Sequence, residues 1–255
     1  MNHLKEILSG FDLVSLEEIL KVSLMDRIDE RYWFHYSQVA KLLEKAQPYY
    51  AVLDIDSKRL MEYKTTYFDT PENKMYLTHH NQKLNRYKIR RRSYLSTNTV
   101  FFEVKMKNNQ LHTVKERIET QADYPGISKA EHDFLQTNTL FKNESLMPTL
   151  NNRFYRISLM HKERKDRCTI DIKARFWNDY GRVWFDDLVI LELKYLHKIR
   201  SSTMITLLKE MKIRQQGLSK YCMARAILEP RLKQNAFKER LRYLEEVNKN
   251  VEWNQ

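Results

Sequence analysis

Glycine is nearly missing from this chain: four residues in 255, at Gly10, Gly126, Gly181 and Gly217. Neither G-x-x-x-x-G-K-[ST] nor G-x-G-x-x-G can be written, so any phosphate bound here is not cradled by a glycine-rich loop. Cysteine is equally sparse. Cys168 and Cys222 supply neither a disulfide framework nor a zinc cluster. The eight histidines (His3, His35, His79, His80, His112, His132, His161 and His197) show no H-x-x-x-H or H-E-x-x-H spacing and read as surface or locally satisfied groups. No run approaches the roughly 20 apolar residues of a membrane helix. The first eight residues lack the apolar core of a signal peptide. With a mean hydropathy of −0.68, the expectation is a soluble, cytoplasmic protein in a reducing compartment, any membrane contact coming through its surface or a partner.

What is abundant is positive charge. Lys and Arg number 45 against 33 Asp and Glu, a net charge of +12. A polyanion gripped directly by side chains is the natural counterpart, with nucleic acid, acidic lipid and polyphosphate all open on charge alone. No helix-turn-helix, zinc finger or aromatic RNP-type strand is present, which argues against nucleic acid.

The chain is long enough to bury a sizeable core. Residues 1–24 read as short helices, with Ser15 and Glu18 as a capping box. Residues 25–34 read as a strand, and Val39, Leu42, Leu43 and Ala46 form a helix face stopped by Pro48. Residues 61–68 read as extended, Asp69 begins a turn, and Pro71 is placed at the start of a short helix carrying Met75 and Tyr76. Strands follow near 85–95, 99–107 and 111–120, a helix near 128–138, then strands near 151–160, 165–176 and 182–196. Leu207, Leu208 and Met211 belong to a helix after Ser201. A last helix near 235–249, with Phe237, Leu241, Leu244 and Val251 on one side, is expected to pack on its own domain. The division is 1–24 helical segment, 25–229 main domain, 230–255 C-terminal helix.

Residues two apart in a strand share a face. Lys88, Arg90 and Arg92 share one, as do Glu103, Lys105 and Lys107. Lys115, Arg117 and Glu119 form another set. Arg167, Thr169, Asp171, Lys173 and Arg175 are a fourth, Glu192 and Lys194 a fifth. The opposite faces carry Ile89; Phe102, Val104 and Met106; Cys168, Ile170 and Ile172; and Leu191, Leu193 and Tyr195. Each charged face read singly is a solvated sheet face. Together they also fit a barrel with a charged lumen and an apolar exterior covered by helices. Such a lumen is costly unless its charges pair or bind a polyanion. Tyr67 and Phe68 read as core, and so does Cys168.

In order along the chain, these residues resemble the vacuolar transporter chaperone (VTC) domain, the polyphosphate polymerase branch of the triphosphate tunnel metalloenzymes. The resemblance covers roughly residues 25–225. Asp26-Arg27 with Arg31-Tyr32-Trp33 resembles the opening E-R-x-x-x-K-Y-W strand. Tyr67 to Pro71 reproduces Y-F-D-T-P. Lys88, Arg90, Arg92 and Tyr94 match K-x-R-x-R-x-Y. Glu103 and Lys105, then Lys115 and Arg117, match the next two strands. Phe154-Tyr155-Arg156 stands at Y-x-R, Arg167, Thr169 and Asp171 at R-x-T-x-D, Glu192 and Lys194 at the late E-x-K, and Ser219-Lys220-Tyr221 at S-K-Y. Four positions depart from the pattern: Asp26 for Glu, Arg31 for Lys, Phe154 for Tyr, and Gly217 where some relatives carry a base.

The resemblance implies an α+β fold, an antiparallel closed β-barrel of about eight strands with flanking helices. It implies binding of ATP and inorganic polyphosphate with a divalent metal, Mn²⁺ or Mg²⁺. Phosphate contacts then fall to Arg31, Arg90, Arg92, Lys105, Lys115, Arg117, Arg156, Arg167, Ser219 and Lys220, because Arg forks bind paired oxygens and Lys acts as a point charge. Lys105, Arg156, Lys194 and Lys220 are the catalytic candidates and Glu192 the metal ligand. The implied activity is transfer of the ATP γ-phosphate to a growing polyphosphate chain. Triphosphate hydrolysis, or polyphosphate or inositol-phosphate binding without turnover, uses the same residues.

Overall fold

A computed structural model describes residues 1–21, 27–109, 113–121, 124–142, 144–164, 166–196, 202–217 and 219–248. Asp26, His112, His197 and Val251 lie outside the described residues.

In chain order the elements are α1 (Asn2–Ser9), β1 (Leu13–Val14), α2 (Leu16–Lys21), β2 (Arg27–His35), α3 (Val39–Ala46), β3 (Tyr50–Leu53), β4 (Met61–Asp69) and α4 (Lys74–His80). Then come β5 (Arg86–Tyr94), β6 (Thr99–Lys107), β7 (Thr113–Glu119), α5 (Lys129–Asn138), β8 (Met147–His161) and β9 (Asp166–Asn178). The chain continues through β10 (Gly181–Phe185), β11 (Leu188–Leu196), α6 (Thr203–Glu210), α7 (Lys220–Leu228) and α8 (Lys238–Val247).

Eight strands follow one path, β2-β11-β9-β8-β4-β5-β6-β7, every neighbouring pair antiparallel. Three short strands join from the side: β10 on β9, β3 on β8, and β1 parallel to β3. The fold is the expected α+β sheet with flanking helices, but hydrogen bonds do not close it. Among the described residues β7 and β2 do not pair. The edge of β2 is covered instead by the segment before α7: Tyr32 bridges Gln215, and the Gln216 N–H donates to the Arg31 carbonyl. That cover satisfies backbone groups an open edge would leave bare.

The sheet curls so that one face is inside. Outside, α1, α3 and α6 pack on Tyr32, Phe34, Ile157, Cys168, Ile170, Ile172, Leu191 and Leu193. A second outer cluster joins Phe68, Ile89, Phe102 and Val104 to Leu135 of α5. Arg91, between the inward Arg90 and Arg92, serves this exterior: it bonds Glu131 (Nη2–Oε2 2.6 Å) and the carbonyls of Tyr124 and Gly126. Glu131 completes a capping box with Ser128, so one buried carboxylate fixes α5 to the sheet. Inside, α7 fills one half of the curl against Trp33, Leu150, Phe154, Ala174, Phe176, Val183, Phe185 and Ile190. Leu244 of α8 and Phe237 just before it are buried in this same cluster.

Two features differ from the sequence reading. Lys173 and Arg175 do not share a face with Arg167, Thr169 and Asp171. A β-bulge shifts the β8–β9 register between Arg153 and Tyr155, and Lys173 takes φ 52°. The extra residue reverses the alternation. Ala174 and Phe176 turn inward, while Lys173 lies over the Tyr36 ring and Arg175 over that of Trp184. The helix expected from Pro71 begins instead at Lys74, after Asn73 at φ 60°. Asp69 caps it from a distance, accepting N–H bonds from Thr70 (2.8 Å), Met75 (2.9 Å) and Tyr76 (3.0 Å). The Tyr221 hydroxyl donates to the same carboxylate at 2.6 Å, tying α7 to the end of β4.

Candidate functional site

The half of the curl not filled by α7 is a cavity of about 290 Å³. Ten Lys and Arg side chains line it against three carboxylates, Asp29, Asp171 and Glu192. Strand register explains the crowding. Lys88 sits opposite Lys105, and Lys105 opposite Lys115, three lysines side by side on adjacent strands. Like charges so placed destabilise a sheet. The next row alternates: Arg90 faces Glu103, and Glu103 faces Arg117. Glu103 is wholly buried and binds both Arg90 (Nη2–Oε2 2.6 Å) and Lys115. Burial opposes its charge, yet Arg90, Arg92 and Lys115 hold its carboxyl well below the usual range.

A second group gathers where β8 and β9 meet α7. Asp171 takes a two-pronged bond from Arg156 (2.6 and 2.8 Å) and an ion pair from Lys220, the first residue of α7. Despite burial, these partners lower the Asp171 carboxyl to about 2. Ser219 caps α7 through its hydroxyl, which accepts the Cys222 N–H at 3.1 Å. Phe154 lies parallel to Tyr63 at 5.4 Å, and three cations approach its face: Lys220 at 4.0 Å, Arg156 at 5.2 Å and Arg92 at 5.8 Å. A phenyl ring thus suffices at position 154, its quadrupole rather than a hydroxyl facing the bases.

On the neighbouring strands β2 and β11, Arg31 pairs with Glu192 (Nη2–Oε1 3.2 Å), and Lys194 approaches the same oxygen at 3.9 Å. Burial opposes ionisation of Glu192, but Lys194, Arg31 and Lys105 keep it well below the ordinary value. Gly217 is needed here. A Cβ on it would stand 2.9 Å from Arg31 Cβ and 3.4 Å from Trp33 Nε1, so a side chain at 217 would force β2 to shift.

The cavity's own charges oppose one another. Lys105 is held well below its normal pKa, first by Arg90 and then by burial. Lys88 and Lys220 fall to about 8, mainly through burial. An arrangement that disfavours its own charges is suited to a polyanion.

The structure brings Arg31, Arg90, Arg92, Lys105, Arg156, Lys194, Ser219, Lys220 and Glu192 to this one cavity. Lys115 stands beside it, bound to Glu103. Arg117 is exposed and lies on the Phe101 ring at 4.3 Å, away from the lining. Arg167 is also outside it and donates to the Ile19 carbonyl at 2.7 Å. Arg86, Lys88 and His79 also line the cavity, beyond the residues expected there from sequence. Lys88 carried a usable signal, sharing alternation with Arg90 and Arg92. His79 carried none, since α4 brings it to the cavity through tertiary packing. Tyr67 is both buried and part of the lining.

Among the described residues no group of three or more His, Cys, Asp and Glu could hold a metal. Glu192 fits a divalent cation only as a single carboxylate, the remaining ligands being phosphate oxygens and water, as Mg²⁺ commonly accepts. No helix of the described residues is long and apolar enough to cross a membrane.

A family model described as the VTC domain matches residues 26–229. No curated protein matches the chain. Among solved structures, a candidate adenylyl cyclase from Hippeastrum, described as having a dominant triphosphatase activity, is 13% identical. That likeness covers 80% of this chain and 99% of that one, with a TM-score of 0.49. A candidate adenylate cyclase from Vibrio parahaemolyticus is 10% identical over 78% of this chain and 97% of its own, with a TM-score of 0.46. A protein from Pyrococcus horikoshii is 12% identical over 78% and 98%, with a TM-score of 0.44.

Proposed function

Since this chain belongs to the VTC domain family, we propose that it is an ATP-dependent polyphosphate polymerase working in the cationic cavity. The observation that carries the reading is the lining itself, ten cations against three carboxylates in the unfilled half of the curled sheet. The terminal oxygen of a polyphosphate chain attacks the γ-phosphorus of ATP in line. The new P–O bond forms as the bond to the β-phosphate oxygen breaks, and ADP leaves with that oxygen. Such transfer depends on positioning and charge and needs no side-chain nucleophile.

Arg90, Arg92 and Arg156 are assigned to orienting phosphate oxygens, and Lys105, Lys194 and Lys220 to stabilising the charge that spreads as the bond breaks. Arg156 and Lys220 are shared with Asp171, which fixes their positions before substrate arrives. Glu192 is assigned to a divalent cation, Mn²⁺ or Mg²⁺. When bound, that cation polarises the transferred phosphoryl group.

The test is incubation with ATP and Mn²⁺ followed by gel analysis. Polymer and ADP in step support the reading. Phosphate release without polymer replaces it with triphosphate hydrolysis, and ATP binding without turnover replaces it with a binding module. Glu192→Gln is expected to lose metal-dependent turnover while tripolyphosphate binding stays within a few-fold. Wild-type turnover in that variant removes Glu192 from the metal site.

A further inference from the structure

We propose that His79 takes up a proton when an oligophosphate enters the cavity, becoming one more cation against the ligand. This rests on the reading of the cavity as a phosphate site. His79 stands in the last turn of α4 and lines the cavity. Its Nδ1 is buried and has no hydrogen-bond partner. The adjacent His80 differs: its Nε2 accepts the Ala236 N–H at 3.2 Å and its Nδ1 meets Asn81, so its place is structural.

The charges that act most strongly on His79 are positive, the carboxylates Asp29 and Glu192 of the same lining being paired with or outweighed by them. Lys88 and Arg86 approach from β5 and Arg31 from β2. From α7, the Cys222 thiol lies beside Lys88 and is itself held in its neutral form by burial. The Phe237 ring, 6.4 Å from the imidazole, adds no charge. Burial first, then these cations, push the free imidazole down to about 2. An oligophosphate carries negative charge on every phosphoryl group, so its arrival reverses the potential that keeps the ring neutral. A proton bound only in the complex makes affinity rise as pH falls through the bound-state pKa. Lys88 and Lys220, titrating near 8, are already charged at about pH 6, whereas Lys105 is held lower and the terminal phosphates of the ligand titrate there too, so the imidazole is read from the difference in uptake between wild type and a His79 variant.

The experiment is ring-nitrogen NMR of the full chain at about pH 6, with and without saturating inorganic tripolyphosphate, the His79 signal being assigned by its loss in His79→Gln. Calorimetry in two buffers of different ionisation heat runs alongside. The expected result is a neutral ring in the free protein, an imidazolium in the complex, and about one proton more taken up by wild type than by the variant. A ring that stays neutral while tripolyphosphate binds, or equal uptake in both proteins, overturns the role of His79 alone. If tripolyphosphate does not bind at all, the phosphate reading falls with it.

Discussion

One curved inner face carries two unlike surfaces. Where α7 lies, the strands present Leu150, Ala174, Phe176, Val183 and Phe185, nearly all fully buried. Further along the same strands they present Arg156, Asp171 and Glu192, and the space is open. The border on β9 is the bulge at Lys173, which lets Asp171 and Phe176 both point inward although their numbers differ by an odd step. The filled half supplies stability through burial. The open half spends part of it on cations that lack enough counter-charge. The two halves should therefore respond oppositely to substitution.

The largest effect is expected in the filled half. Phe176→Ala removes a fully buried ring in contact with Phe185 and should cost about 3–5 kcal/mol in denaturant unfolding. Tripolyphosphate affinity of the folded protein should change by less than about twofold. A large affinity loss without a stability loss would erase the distinction between the halves.

In the open half, Lys88→Met combined with Lys105→Met should weaken tripolyphosphate binding by about a hundredfold, or about 2.7 kcal/mol. Stability of the free protein should hold or rise, because two like charges on facing strand positions are gone. A less stable variant with unchanged affinity would mean that these lysines support the fold.

Asp69→Asn probes the joint between the halves. It weakens the acceptor for three backbone N–H groups and the Tyr221 hydroxyl, at a cost of about 1.5–3 kcal/mol. Because α7 carries Lys220 into the cavity, both stability and tripolyphosphate affinity should fall in this variant alone. Loss of stability with intact affinity would show that Lys220 is held by Asp171 without help from the Asp69 joint.

The smallest expected effect is on pH. Lys88 and Lys220 lose their protons near pH 8 in the free protein, below the ordinary lysine value. Binding of a polyanion above that pH must restore them, so affinity should fall as pH rises from about 8 to 10. Lys88→Met should flatten that decline. A flat wild-type profile would mean that neither lysine is depressed.

The legibility of the sequence divides along the same line. The open half was largely readable, because strands with strict alternation declare a charged face, as Arg90, Arg92, Lys105 and Glu192 do. The filled half was not. α7 is buried nearly all round (Tyr221, Cys222, Met223, Ala224, Ala226 and Leu228), so it shows no polar stripe and was seen only as the S-K-Y motif. β3 is short and buried on both faces, and gave no alternation to read. The bulge at Lys173 follows from no local residue type, and it misled the alternation beyond Asp171. The β5–β6 turn and the Ser15–Glu18 cap, which depend on near neighbours, appear where the chain announces them, whereas the single strand expected over 182–196 is divided into β10 and β11.

The most direct test of the open half as a polyanion site is thermal unfolding with increasing inorganic tripolyphosphate, for wild type and the Lys88→Met, Lys105→Met protein. A ligand that binds only the folded state raises the midpoint with its concentration, by about 2.7 kcal/mol of stability at a hundredfold excess over Kd. The predicted result is a rise for wild type and almost none for the double variant over the same range. Equal rises in both proteins, or none in either, would contradict the account.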